Sequence, residues 1–489
     1  MLYPSLEVVQ EFLQSYRTVP VFSSQLMDCQ TPVGIFSTLK AYSETCFLLE
    51  SVENSERWGR YSFIGIHPKA QVTIQNGTAT FTQNGTSQTE RIENPASYLS
   101  KIMEQYRSPV FAGFPRFTGG LVGYFGYDML RYLENTLKAP PEDDLLLPDC
   151  VLDLYDEVIA FDHLSSKVFV ILNIHRDSDA ATQYALCERR AKELFRKIGE
   201  ESVGTTFVKN GGDPIIHSNT TPEQYADMVN RAKEHILAGD IFQVVLSQRF
   251  EIENPPEPFL VYRALRATNP SPYLYYFQSK AFQIAGASPE MLVNVEDGFI
   301  TNKPIAGTIR RGKEEAEDKM LEQQLLQDEK ERAEHTMLVD LGRNDVGRVS
   351  RFGSVQVADF MHVERCSQVM HLVTEVHGTL QNDKTSVDAL LSILPAGTLS
   401  GAPKIRAMQI IDELESKKRG VYGGAIGYLG FDGNIDTCIA IRTALFRNSK
   451  AYVQAGAGIV ADSIPEKEYL ETRNKAQAVI NAIREANEL

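Results

Sequence analysis

The chain has 489 residues, enough for two or more domain-sized units or one large interlocked body, and its 43% hydrophobic and 23% charged residues are ordinary globular usage. A formal net charge of −15 argues against nucleic acid as the main partner, because phosphate binding needs a basic surface. Six cysteines (Cys29, Cys46, Cys150, Cys187, Cys366, Cys438) without Cys-x-x-Cys spacing argue against a zinc site and a dense disulfide framework, and suit a reducing compartment.

The opening MLYPSLEVVQEFLQ has no basic segment leading into an apolar run, so no secretory leader is expected. No apolar stretch is long enough to cross a bilayer, so no membrane association is expected and a cytoplasmic location is. The first ~200 residues alternate short β-like runs with turn formers. In VTIQNGTATFTQNGT (72–86) two Asn-Gly pairs predict hairpins. VFVILNI (168–174) reads as a strand and ALCERRAKELFRKI as a helix. The segment 199–221 is rich in turn formers and reads as a linker, giving an N-terminal region 1–205 and a second region 215–489.

Beyond the linker, Thr221-Pro-Glu-Gln224 predicts a capping box and a helix whose apolar face runs from Tyr225 to Leu237, with Gly239 to end it. IFQVVLSQRFEI (241–252) alternates, with Phe242, Val244, Leu246 and Phe250 on one face and Gln243, Val245, Ser247 and Arg249 on the other. Helical patterns cover roughly 315–341 and 465–487, with Gly-rich strands between. Strands and helices mix without a regular βαβ repeat, so the expected class is α+β, with large sheets covered by helices on the outside.

Four acids could carry chemistry. Glu331 and Glu334, and again Glu468 and Glu471, are spaced by three, which puts each pair on one helix face. Ser463 to Glu466 predicts a capping box before the second pair, and Lys475 follows Glu471 at i+4. Two such pairs brought together would repel unless a divalent cation joined them, and Mg²⁺ suits oxygen ligands. Each pair alone is equally what a solvated helix face carries. The glycines of GVYGGAIGYLG (420–430) and QAGAGIVADS (454–463) would let backbone N–H groups approach an anion, or simply allow tight packing. Arg442 in IRTALF (441–446) offers a fork suited to a carboxylate. Glu290 and His371 are acid–base candidates, although a histidine in an apolar run is also a common core residue.

Several long motifs stand in one order over about 222–480: FQVVLSQR, ASPEML, KPIAGTIRRG, ERAEHTMLVDLGRNDVGRV, PAGTLSGAPKIRAM, YGGAIGYL, IRTA and AGAGIVADSIPEKEYLET. Together they resemble the chorismate-utilising enzymes, which make anthranilate, aminodeoxychorismate, isochorismate or salicylate. The resemblance implies a large two-sheet α/β sandwich around one chorismate site, with an N-terminal region packed on it. It implies Glu334 and Glu471 as Mg²⁺ ligands, with Glu331 and Glu468 supporting through water. Arg442, Tyr422, Lys475 and the backbone of Gly456 and Gly458 match the pocket for the substrate's carboxylates. Thr398 and Gly307, with Thr308 beside it, match positions against the ring. Glu290 matches the general acid for the departing hydroxyl, and His371 the residue that assists the later elimination.

Two positions divide the family. Water-adding relatives carry a lysine base where this chain has Gln243. Aminodeoxychorismate synthases often carry a nucleophilic lysine where Pro304-Ile305-Ala306-Gly307-Thr308 has Ala306. The resemblance is thus to the anthranilate-forming branch, with free ammonia as nucleophile, and aminodeoxychorismate formation is the nearest alternative. No glutamine-hydrolysing Cys/His signature is recognisable, so a glutamine amidotransferase subunit is expected as partner. Glu50 and Ser51 in FLLES, followed by WGRYSFIG with the single tryptophan Trp58, and Pro272 and Tyr273 in NPSPYLYYF resemble the tryptophan-sensing segments of that branch. The implied inhibitor is tryptophan. By itself LLES reads equally as a buried strand edge.

Overall fold

The computed structural model describes residues 1–51, 59–137, 140–200, 214–365 and 369–488. Trp58, Cys366 and most of the expected linker lie outside the described residues; the other five cysteines are free thiols. Two 12-stranded antiparallel sheets dominate. The fold is an α/β sandwich of the expected kind, with helices on the outer faces.

Both sheets run across the boundary expected between 205 and 215. In the first, five strands from the N-terminal region are followed edge to edge by six from the second region, and the short strand Gly401–Ala402 pairs with Gln243–Glu253 off this path. They join where Cys46–Glu50 pairs with Tyr273–Gln278, Glu50 opposite Leu274. In the second, the join is Gly120–Phe125 against Ala425–Gly430, with Gly123 opposite Gly427. The N-terminal strands therefore extend both sheets of the sandwich.

The inner faces meet in an aromatic-rich core. Phe47, Phe63, Tyr275 and Ile284 of the first sheet pack with Val122, Tyr124, Tyr155 and Ile426 of the second. On the outer face of the first sheet, Thr472, Ala476, Val479, Ile480 and Ile483 of the last helix (Pro465–Glu485) are buried, and its apolar ones join a core shared with Phe259 and Leu265. The second sheet is covered by helices that include Ser386–Ile393 and Glu329–Gly347.

Local signals mostly held. Asn76-Gly77 and Asn84-Gly85 turn with positive φ throughout, as two-residue hairpins require, and connect Ala70–Gln75, Thr78–Gln83 and Thr86–Arg91. The capping box at Thr221 forms reciprocally with Gln224. Four expectations need correction. The pattern over 315–341 is two helices, Glu315–Gln327 and Glu329–Gly347, because the Asp328 carboxylate accepts from the N–H groups of Lys330 and Glu331 and starts a new helix. The capping box at Ser463–Glu466 is not formed: the N-cap is Ile464, and the Ser463 hydroxyl instead accepts from Val460 N. Phe242 is 73% exposed, since it precedes the strand Gln243–Glu253. Arg442 stands before the strand Thr443–Arg447 with φ of 51°.

Candidate active site

The helix Glu329–Gly347 is pinned by its buried face, which includes His335, Leu338 and Val339. Glu331 and Glu334 project one turn earlier on the same side and are half-buried. Across from them the last helix presents Glu468, half-buried, and Glu471, exposed. The helices face one another, because the charge of Glu471 acts on Glu331 and that of Lys330 acts on Glu468. Burial first, then the neighbouring carboxylates, raises both Glu331 and Glu468 above the usual carboxylate range. Among the described residues, no three acidic, histidine or cysteine side chains converge tightly enough to cage a metal ion. Of the four acids, Glu471 lines an open cleft together with Arg442, Lys467 and Lys475.

Gln243 reaches these acids from the strand Gln243–Glu253. It is 3% exposed, its amide donates to Glu334 Oε1 at 3.3 Å, and its buried carbonyl oxygen has no partner among the described residues. The neighbouring strand Lys450–Ile459 needs glycine here. A Cβ on Gly458 would lie 2.5 Å from Gln243 Nε2, and one on Gly456 would lie 2.9 Å from the Tyr422 hydroxyl. The Gly456 carbonyl accepts from Lys475 Nζ at 3.1 Å, and the same ammonium reaches Glu471 Oε1 at 2.7 Å. Arg442 Nη1 donates to the Lys475 carbonyl at 2.5 Å, and burial lowers its pKa.

Glu290 follows the strand Gln283–Ser288. Thr398, in the 3₁₀ turn Gly397–Leu399, donates to Glu290 Oε1 at 3.0 Å. Burial pushes this carboxyl up to about 7, against the Thr398 hydrogen bond and the positive charge of Lys475. It therefore holds a proton near neutral pH.

His371 lies opposite Thr308 across the strands Ile305–Arg310 and Val369–Thr379. Its Nδ1 is 3.1 Å from both the Thr308 hydroxyl and the Gly307 carbonyl. A carbonyl only accepts, so Nδ1 carries the proton and Nε2 is the basic nitrogen. Burial lowers the His371 pKa, which favours that neutral form. Gly307 sits at a register shift with φ of 63°, and a Cβ there would be 3.1 Å from Glu331 Oε2. All fifteen expected catalytic, substrate and metal residues thus fall in one connected cluster. The charge of Arg442 is felt at both His371 and Tyr422. Sequence reading passed over Arg419 and Glu415, a fully buried ion pair beneath Tyr422. Charged letters four apart on a chain look like any solvated helix face.

A second cavity, of about 630 Å³, opens where the sheets join, with Glu50, Ser51, Pro272 and Tyr273 all in its lining. Glu50 is 6% exposed, accepts from the Tyr262 hydroxyl, and is paired with Arg266 at 2.9 Å. The Ser51 hydroxyl is buried without a partner among the described residues. Tyr273 donates to Asp436 Oδ1 at 3.0 Å.

Comparison with known proteins matches residues 44–481 to the family described as chorismate binding enzyme. The chain is 50% identical to anthranilate synthase component 1 of Acetivibrio thermocellus, covering 100% of both chains. It is 46% identical to the protein of the same name from Pseudomonas aeruginosa, over 97% of this chain and 98% of that one. Among solved structures, anthranilate synthase component I from Streptococcus pneumoniae aligns with a TM-score of 0.77 and 42% identity, covering 88% of this chain and 94% of that chain. The menaquinone-specific isochorismate synthase of Escherichia coli aligns with a TM-score of 0.70 over 98% of both chains, at 18% identity. That last likeness is one of fold.

Proposed function

The chain belongs to the family of chorismate binding enzymes, and we propose that it is the large subunit of an anthranilate synthase, a lyase acting at the entry to tryptophan synthesis. It converts chorismate and ammonia to anthranilate and pyruvate. The observation that carries this reading is a full-length match to component 1 proteins, joined to a cleft where a proton-holding Glu290 faces Lys475 and Thr398.

The donor set suits Mg²⁺: four carboxylates on two facing helices crowd negative charge that raises two of their pKa values. Glu334 and Glu471 would hold the ion, with Glu331 and Glu468 acting through water. When bound, it neutralises and orients the ring carboxylate of the substrate.

The remaining work falls to the protein's own groups. Arg442, Lys475, Tyr422 and the backbone of Gly456 and Gly458 hold the two carboxylates, while Thr398, Gly307 and Thr308 bound the ring. This fixes the dianion for attack. As the N–C2 bond forms, the Glu290 carboxyl gives its proton to the 4-hydroxyl, which leaves as water. His371 Nε2 then assists transfer of the ring proton while the enolpyruvyl C–O bond breaks, so that pyruvate departs and the ring becomes aromatic. Gln243 and Ala306 carry no amine, so neither replaces ammonia as the nucleophile or serves as a lysine base for water.

Ammonia delivery is assigned to a separate glutamine amidotransferase subunit, as the name component 1 of the relatives implies a second component. Tryptophan is assigned to the second cavity, where the Ser51 hydroxyl has no partner among the described residues and Tyr273 and Pro272 suit an indole. No helix among the described residues is long and apolar enough to cross a membrane, and we assign the enzyme to the cytoplasm. The test is turnover of chorismate with Mg²⁺ and ammonium, followed by anthranilate fluorescence, with and without tryptophan. Accumulation of 4-amino-4-deoxychorismate instead would make the chain an aminodeoxychorismate synthase. Tryptophan binding with no turnover would make it a non-catalytic regulator.

A further inference from the structure

Beside the proposed substrate residues lies a buried charged knot, Arg419 with Glu415. Arg419 is 4% and Glu415 7% exposed. The guanidinium donates Nε and Nη2 to the two Glu415 carboxylate oxygens at 2.9 and 2.5 Å. Nη1 donates to the Leu399 carbonyl at 2.6 Å, and Nη2 to the Val245 carbonyl at 2.7 Å. Its plane lies against Tyr127 and Tyr422, 4.6 and 5.7 Å from the ring centroids. Glu415 Oε1 also accepts from the Ser247 N–H and hydroxyl at 2.8 and 2.9 Å, and Ser247 Oγ accepts from Gln454 at 2.8 Å.

The partners come from three segments around the site. Leu399 follows Thr398; Val245 and Ser247 share the strand of Gln243, which pairs with the strand of Gln454 and Gly456; and Tyr422 stands with its hydroxyl against Gly456. We propose that Arg419, held by Glu415, is the positioning residue that sets the spacing of these three segments, so that Thr398, Gln243, Gly456 and Tyr422 meet one substrate. Its charge is matched inside the protein, and four of its five N–H groups are used on neighbours. A fork is required, because two carbonyls and a carboxylate must be reached at once; a lysine ammonium is a single point. Burying such a pair adds little to stability compared with apolar packing, so its value lies in registry.

This inference rests on the anthranilate synthase reading, and wild-type turnover tests that reading separately. In an active wild type, Arg419→Lys retains the charge and loses the fork. We expect kcat/KM for chorismate to fall about 100-fold, with a weaker chorismate dissociation constant measured without ammonia. Because Arg419 holds the turn carrying Thr398 through the Leu399 carbonyl, the alkaline limb of the rate, taken at constant free ammonia, should move upward, as it should in Thr398→Val. The double variant should move it no further. Lys475 faces the same Glu290 carboxyl from the last helix, and Lys303 and Asp345, the latter paired with Lys404, line the small cavity behind it; all are unchanged in these variants. A folded Arg419→Lys enzyme with kcat/KM within threefold of wild type, or with an unmoved alkaline limb, overturns the proposal. If that variant does not fold, Glu415→Gln reads the same limb: a shift supports the role, and a wild-type profile in a folded Glu415→Gln enzyme removes it.

Discussion

Glu290 is a carboxyl group whose burial favours the protonated form. Burial raises it to about 7 while Thr398 and Lys475 pull it back. As a general acid it works only when protonated, so kcat should be level below about pH 7 and fall tenfold per unit above it; a flat profile from pH 6 to 9 at constant free ammonia would rule the assignment out. Glu290→Gln should lower kcat by roughly 10²–10⁴-fold with KM little changed, since an amide cannot give up the proton. The acids on the facing helices make a different prediction. Glu334→Gln and Glu471→Gln, assayed with ammonium, should each raise the Mg²⁺ concentration needed for half-maximal rate at least tenfold, and near-normal anthranilate output from both would defeat the metal assignment. Each of these residues was named from motif order. Their partners were legible only in part: the i+4 spacing sets Lys475 beside Glu471, but nothing in the letters says that Lys475 also caps the Gly456 carbonyl.

At the level of elements, the site includes a left-handed backbone position that glycine adopts most easily. At the register shift Gly307 has φ of 63°, and a Cβ there would lie 3.1 Å from Glu331 Oε2. Gly307→Ala should cost about 1–2 kcal/mol for the left-handed conformation and press on the Glu331 carboxylate. The expected outcome is a lower melting temperature together with a weaker Mg²⁺ requirement curve; a variant with wild-type values of both would show that the turn tolerates a side chain. Periodicity found the strands and helices around this point because local patterns follow from local burial. It failed at 315–341, where the Asp328 carboxylate competes for the N–H groups of Lys330 and Glu331 and ends one helix to begin another. It failed again at Ser463, because Pro465 enters the first turn and Ile464 takes the cap position.

For the whole molecule, the joined sheets make the N-terminal strands structural parts of the catalytic half. Tyr273–Gln278 and Ala425–Gly430 lie mid-sheet, each hydrogen-bonded to an N-terminal strand, and Leu274, Tyr275 and Tyr276 are at most 1% exposed. A fragment of residues 215–489 would open two long apolar edges, so it should aggregate instead of binding chorismate. Recovery of a soluble, monomeric, chorismate-binding fragment would show that the second region folds alone. The same join places the Glu50–Tyr273 cavity on the seam, with the strand of Tyr273 running beside the one that leads to Glu290.

By itself the sequence determined the α+β class, the order of most elements, and which side chains could hold a metal, a carboxylate or a proton, because helix faces, turns and long motifs are written in neighbouring letters. Tertiary structure alone decided which strands lie side by side across hundreds of residues, that Glu50 is already matched by Arg266, and that Arg419 and Glu415 are buried together beside the proposed substrate residues. Those outcomes depend on the free energy of packing remote segments, and a charged residue carries no mark in the chain that tells whether water or another charge will surround it.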